Sequence, residues 1–220
     1  MDDQGTPTQE TTRSVYGATS PVARYVDGKI SWLEKTIESS TTKATLAHLR
    51  RSLGHSPGED PRVWSVTLDE VPYAHKPGSD DPVPEEWAIH TAMALFALHR
   101  QSQTETVHGR GIGFGQAVHN LEKAQAGPGD SGDQVSPVRR RFNQVVTATT
   151  FDEAVVHMRG LIAQMRSASA PIRLDYGRLA DDLLAFQRPG GADQVRRRWG
   201  RQYHWLDRSP AQSPTVSEEK

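Results

Sequence analysis

The chain reads as all-α: two small helical bundles carried between disordered polar tails. Three observations lead there. Apolar residues recur at intervals of three and four along most of the sequence, the spacing of one helix face. Cap-and-proline pairs such as Asp60-Pro61 and Ser136-Pro137 open several of these stretches. No segment has a convincing strand pattern, and no internal repeat is present.

The elements follow in order. Residues 1–18 are polar, with scattered Thr, Gln and Gly, and read as a disordered tail. Asp27 is placed to cap a helix over Gly28–Glu38, with Ile30, Leu33 and Ile37 on one face. Thr41 or Thr42 caps the next, Lys43–Leu53, and Gly54 stands at its end. Asp60-Pro61 opens Pro61–Glu70, built on Val63, Trp64 and Leu68, and Pro72 closes it. His75–Pro84 is a loop rich in Pro, Gly and Asp. The helix Glu85–Gln101 is apolar nearly all round, which predicts a central, buried position. Gly109, Gly111, Gly113 and Gly115 mark a connection into a helix over Gln116–Gln125.

AGPGDSGDQVSP (Ala126–Pro137) is the domain-boundary candidate. It divides an N-terminal bundle, 19–126, from a C-terminal bundle, 137–206, with 127–136 as linker. Ser136 caps a helix from Pro137 to Ala148. Thr150 and Glu153 have the spacing of a capping box, ahead of a stripe at Phe151, Val155, Met158, Ile162 and Met165. Asp175 opens a helix with Tyr176, Leu179, Leu183 and Phe186 aligned, and QRPGG (Gln187–Gly191) breaks it. The last helix runs from Asp193 to Trp205 on Val195, Trp199 and Tyr203. Residues 207–220 read as a second disordered tail.

Composition excludes several classes. There are 220 residues, 35% of them hydrophobic, and no cysteine, so disulfide and thiolate chemistry are absent. The first residues are acidic and polar, unlike a secretory signal. The longest apolar run, Ala88–Leu98, is interrupted by His90 and Thr91 and is short of a membrane span. A soluble, cytoplasmic protein is expected. No Ser/His/Asp arrangement and no HExxH appear, and the nine histidines form no metal pattern. Asp80-Asp81 and Asp181-Asp182 lack the second acidic cluster of a metal-dependent nuclease. GRGIGFG (Gly109–Gly115) lacks the Gly-Lys-Ser/Thr ending of a phosphate loop and follows a helix. No catalytic centre and no cofactor are expected.

Charge is nearly balanced overall, at −1, yet concentrated locally. Residues 56–86 are acidic, and arginine dominates from Arg139 until the tail. Two arginine triplets stand beside aromatics: PVRRRFNQVV (Pro137–Val146) and ADQVRRRWGRQYHW (Ala192–Trp205). Arginine suits phosphate because its planar fork bonds oxygens bidentately and keeps its charge. Three consecutive helical residues fan over about 200°, so a triplet cannot lie on one flat contact. In the first triplet helix, Val138, Phe142 and Val145 face in while Arg140, Arg141 and Gln144 face out. In the last helix, Arg197, Arg198 and Arg201 form an outward patch. Arg196 lies nearer the inward side, placed to pair with Asp181 or Asp182. Each triplet also fits a merely solvated surface. Arg50-Arg51 ends a helix, where cations equally suit the dipole. Arg100, Arg159 and Arg166 stand singly and read as structural.

Six segments occur in an order that resembles one family: HLRRSLG (48–54), WAIHTAMALFALHRQS (87–102), RRFNQVVTA (140–148), HMRGLIAQMRS (157–167), LDYGRLADDLLAFQRPG (174–190) and VRRRWGRQY (195–203). Together they resemble the CasB family, the small subunit of the type I-E CRISPR surveillance complex called Cascade. The resemblance spans about Lys29–Tyr203. It implies an all-helical, non-enzymatic subunit, present as a pair, that contacts the backbone and large subunits. It implies sequence-nonspecific help in holding guide RNA, target DNA and the displaced strand. The family's basic residues carry over onto Arg50, Arg51, Arg140, Arg141, Arg159, Arg196, Arg198 and Arg201. Arg139 and Arg197 lie beside those positions.

Two other readings stay open. The arginines would meet acidic partner surfaces if the chain were a protein-interaction scaffold that never touches nucleic acid. A nuclease would need the aspartate pairs to hold a divalent ion.

Overall fold

The computed structural model describes residues 20–73, 79–126 and 135–205. Both expected tails and most of the 127–136 linker lie outside them. Nine α-helices and one 3₁₀ turn are present among the described residues, with no strand beyond an isolated bridge between His108 and Leu174. No helix among these residues is long and apolar enough to cross a membrane.

Local chemistry sets the helix starts. α1 spans Pro21–Lys35, seven residues earlier than the sequence suggested. Ser20 caps it, accepting from the Ala23 N–H at 3.1 Å, and Pro21 follows. Serine plus proline is the same start signal as Asp60-Pro61, and Asp27 becomes a mid-helix residue with other partners. α2 spans Ser40–Ser52 behind Ser39, also earlier than expected. Pro61–Glu70 is not one helix: Asp60 caps a 3₁₀ turn, Pro61–Val63, that runs into α3, Trp64–Thr67. α4 covers Pro84–Arg100, and its Glu86 carboxylate reaches back to the Val83 N–H at 3.0 Å. α5, Phe114–Gln125, begins two residues early. α6 is Pro137–Thr147 with Ser136 at its cap, and α7 is Phe151–Arg166 with Thr150 at its cap. Glu153 reaches Thr149 rather than Thr150, so the box is displaced by one residue. α8 is Tyr176–Phe186, capped by Asp175, and α9 is Gly191–Trp205.

α4 is the axis of the fold. Every residue from Ala88 to Ala97 is buried, as the all-round apolar pattern predicts. It touches α1, α2, α3, α7 and α8. α8 packs against both α1 and α4, and α5 packs against α9. Trp199 of α9 lies 4.9 Å from the Phe114 ring and 6.4 Å from Phe186, while Phe142 stacks on Tyr203 at 4.9 Å. This aromatic group joins α5, α6, α8 and α9.

Two histidines of α4 are buried as neutral groups. His90 Nε2 donates to the Ser52 carbonyl at 2.9 Å. His99 Nδ1 shares a 2.8 Å hydrogen bond with the Tyr176 hydroxyl, and burial pushes its imidazole down to about 4. The unfolded chain therefore binds a proton at His99 between about pH 6.5 and 4 that the folded chain refuses. That contribution to stability is complete above the unfolded value and is lost as the pH falls through the window. Asp27, Asp181 and Asp182, raised first by burial, titrate in the opposite sense. A His99→Gln variant isolates the histidine. We expect its urea-unfolding free energy to fall less than wild type between pH 7 and 4, by roughly 3 kcal/mol. Parallel profiles would show that His99 does not titrate in this way.

Candidate nucleic-acid interface

The ten arginines singled out from the sequence fall into three groups by their partners. Arg140, Arg159, Arg197 and Arg201 are exposed and have no ion pair among the described residues. Arg139, also exposed, lies 5.9 Å above the Tyr203 ring. These five present charge to solvent from α6, α7 and α9.

The second group is folded against the protein. Arg198 pairs with Asp182, which also accepts from Trp199 Nε1 at 2.6 Å. Asp182 is 3% exposed, and burial raises its carboxyl first, with Arg198 acting against that. Arg196 instead bonds Asp193 at 2.9 Å, donates to the Ala148 carbonyl at the end of α6, and sits 5.5 Å over the Phe186 ring. The expected pairing of Arg196 with Asp181 or Asp182 is thus corrected: Arg198 takes Asp182, and Ser20 donates to Asp181. A helical wheel gives the angle of a residue but not its neighbour. α8 lies on the Trp199 side of α9, so the residue adjoining Trp199 reaches the carboxylate.

The third group sits at helix surfaces without a neutralising carboxylate. Arg141 is half-buried and lies across α7 at Gly160, where an added Cβ would be 2.7 Å from its Nη1. Arg51 Nη2 lies 3.1 Å from His48 Nδ1. Arg50 is half-buried with no hydrogen bond or ion pair among the described residues. Burial lowers its pKa first, and the charges of Arg51 and Arg166 lower it further. Arg166, read from sequence as structural, belongs beside these residues. Its Nη1 donates to the neutral Gln101 Oε1 at 2.6 Å, and its carbonyl accepts from Gln103 Nε2 at 2.8 Å. The sequence signal was available: Arg159 and Arg166 are seven apart, two turns along one stripe of α7.

One cluster unites residues that no sequence motif groups. Donor atoms of Asp27, His108 and Asp175 lie within 4.8 Å of one another, a spacing that a cation could bridge. Hydrogen bonding argues for a different use. The Tyr176 N–H points at His108 Nδ1 at 3.3 Å. Nε2 lies 3.4 Å from Asp27 Oδ1, and neither atom has a hydrogen-bond partner among the described residues. Asp175 accepts from the Gly111 N–H at 2.6 Å and the Arg178 N–H at 3.0 Å. The cluster ties α1 to the start of α8 and to the 107–113 loop. The loop is bound further by Gly109 N–H to Leu174 O and Asp175 N–H to Ile112 O, at 3.1 and 2.8 Å. Of the two aspartate pairs of the nuclease reading, Asp80-Asp81 lies in the loop before α4, and Asp181-Asp182 lies on α8, engaged by Ser20 and Arg198.

Comparison with known proteins agrees with this architecture. The profile of the CRISPR-associated protein Cse2 family matches residues 45–204. A CRISPR-associated protein Cse2 of Thermus thermophilus is 28% identical over 185 residues, covering 84% of this chain and 90% of that protein. The crystal structure of CasB from Thermobifida fusca superposes with a TM-score of 0.67 at 32% identity, over 85% of this chain and 99% of that one. A chain of a CRISPR RNA-guided surveillance complex shares the fold, with a TM-score of 0.56 at 21% identity over 85% and 98%.

Proposed function

This chain belongs to the CRISPR-associated Cse2 family, and on that premise we propose that it is the small, non-catalytic subunit of a type I-E RNA-guided surveillance complex. In this reading it works in the cytoplasm, in two copies, against the backbone and large subunits. Its arginines hold the phosphates of the guide RNA–target DNA hybrid and of the displaced strand. The observation that carries the reading is the set of exposed arginines on α6, α7 and α9 that no carboxylate of the described chain neutralises.

The physics suits the role. Replacing a DNA duplex by an RNA–DNA hybrid is a nearly balanced exchange, so a few backbone contacts decide whether the open state persists. Arginines on rigid helices neutralise phosphate without reading bases. Tying α9 down through Arg196, Arg198 and Trp199 fixes the direction in which Arg197 and Arg201 project.

Charge reversal tests the reading. Arg140→Glu with Arg141→Glu, in the reconstituted complex, is expected to weaken target binding about 10- to 100-fold near 100 mM salt, across target sequences. The salt slope should fall by about one unit per lost phosphate contact. Intact assembly with unchanged affinity and slope would favour the protein-interaction scaffold, in which these arginines never meet nucleic acid.

A further inference from the structure

Two aromatic side chains are largely exposed among the described residues, Trp32 on α1 and Trp64 on α3, each at 45%. Both belong to the N-terminal half, away in sequence from the arginines of α6, α7 and α9. A groove of about 500 Å³ runs beside Trp32, between α1 and the chain that leaves α3. Tyr25, Gly28, Lys29 and Trp32 form its α1 side, and Ser65, Asp69 and Glu70 the other. The two walls are tied together. The Tyr25 hydroxyl donates to the Asp69 carbonyl at 2.8 Å, and Lys29 lies 3.9 Å from the Asp69 carboxylate and 5.3 Å over the Tyr25 ring. The groove is therefore formed before anything enters it.

Two residues of the lining run against local stability. Gly28 lies inside α1, where alanine would hold the helix better, and a Cβ there would meet nothing within 4 Å. Glu70 has a φ of 58°, the left-handed conformation that favours glycine. The glycine keeps the space above α1 clear between Tyr25 and Trp32, which share its side of the helix at three- and four-residue spacing. The glutamate holds an exposed carboxylate at the rim, with no ion pair among the described residues.

We propose that this groove is a protein-docking site that takes an apolar side chain of a different subunit, presented beside a lysine or arginine. This rests on the reading above that the chain works inside a multisubunit complex, and adds the surface and chemistry of one contact. The apolar side chain lies over Gly28 against the Trp32 ring. Its basic neighbour meets Glu70, in a stretch, 56–86, where acidic residues outnumber basic ones. Phosphate does not suit this slot, because its two cations, Arg24 and Lys29, are matched by Asp69 and Glu70. A second copy does not suit it either. Two grooves set face to face would oppose like carboxylates, and the arginines of α6, α7 and α9 are those given to phosphate above.

The chain has no cysteine, so Ser65→Cys places a single thiol on the groove wall without filling the groove. Its alkylation by iodoacetamide, read on this chain by mass spectrometry, is compared in the isolated protein, in the complex reconstituted with guide RNA, and after target DNA is added. The rate is expected to fall about 10-fold or more on assembly and to change no further with target. A benzophenone carried on the same thiol should crosslink to a different protein subunit. In a second arm, variants are titrated into a complex assembled without this subunit. Gly28→Ala should join as wild type does and melt at a higher temperature. Gly28→Trp, which has room to fold, should weaken incorporation about 10-fold or more, and Glu70→Lys about 3- to 10-fold. A thiol left reactive in the complex, or protected only when target is added, would overturn the proposal. So would a crosslink to nucleic acid or to a second copy, or unchanged incorporation of Gly28→Trp. Each of these leaves the arginine surface to its own charge-reversal test. Failure of the wild-type chain to join the complex would overturn both this site and the reading it rests on.

Discussion

Replacing Asp182 with alanine is expected to lower the unfolding free energy by about 3 kcal/mol, the scale of breaking a buried pair. One carboxylate, 3% exposed, joins α8 to two adjacent residues of α9. Its removal leaves the Trp199 N–H without a partner in a fully buried site, where desolvation is not repaid. It also leaves Arg198, partly exposed and so partly compensated by water, without its counter-charge. Asp182→Asn keeps an acceptor for Trp199 and removes a charge that burial already disfavours, so its cost should be about 1 kcal/mol. Chemical denaturation of the three proteins at pH 7 checks the order. Equal costs for Ala and Asn would mean that the ion pair with Arg198, rather than the bond to Trp199, sets the loss.

A paired glycine experiment has the second-largest expected effect. Gly115 begins α5 where the chain crosses α9, and a Cβ there would lie 2.0 Å from the Trp199 carbonyl oxygen and 2.8 Å from its carbon. Those atoms are backbone and cannot rotate aside. Gly115→Ala must therefore push α5 and α9 apart, at about 3 kcal/mol, the upper end of overpacking costs. Gly200 lies within α9 and meets nothing within 4 Å. Gly200→Ala should stabilise by about 0.5–1 kcal/mol, through helix propensity alone. Thermal melts of the two variants, side by side, separate contact from propensity. Destabilisation by Gly200→Ala would show that the α9 surface is not open as described.

Much of this was legible in the residues. Periodicity located the helices because an amphipathic segment must hide one face, and α4 announced its central place by having no polar face. Starts were misplaced where two capping signals competed: Ser20-Pro21 outranks Asp27 because proline preorganises the first turn as well. The Pro61–Glu70 stretch carries too short an apolar pattern to sustain α-helix past Thr67. Partnerships across the fold were not legible. Nothing in the spacing says that Arg198 rather than Arg196 meets Asp182, that Arg141 lies over Gly160, or that His108 faces Asp27. Those contacts depend on which helix covers which face, and periodicity is silent on that. Arg166 was passed over because it stands alone in sequence, although its distance from Arg159 placed both on one stripe.

The placement of α8 against α1 and α4 also bears on how the chain is made. The apolar side of α1, with Val22, Val26, Ile30 and Leu33, is buried in a fold whose α8 begins about 150 residues later. At about 5–20 residues per second of synthesis, that side waits roughly 8–30 s for its α8 cover, and α4, which ends about 75 residues before α8, roughly 4–15 s. An all-helical protein ordinarily folds on local contacts, but here the nascent chain closes only when its last third emerges. Until then the ribosome holds a sticky half-core, and chaperones that shield apolar helix faces have their longest opportunity on this protein during its own translation.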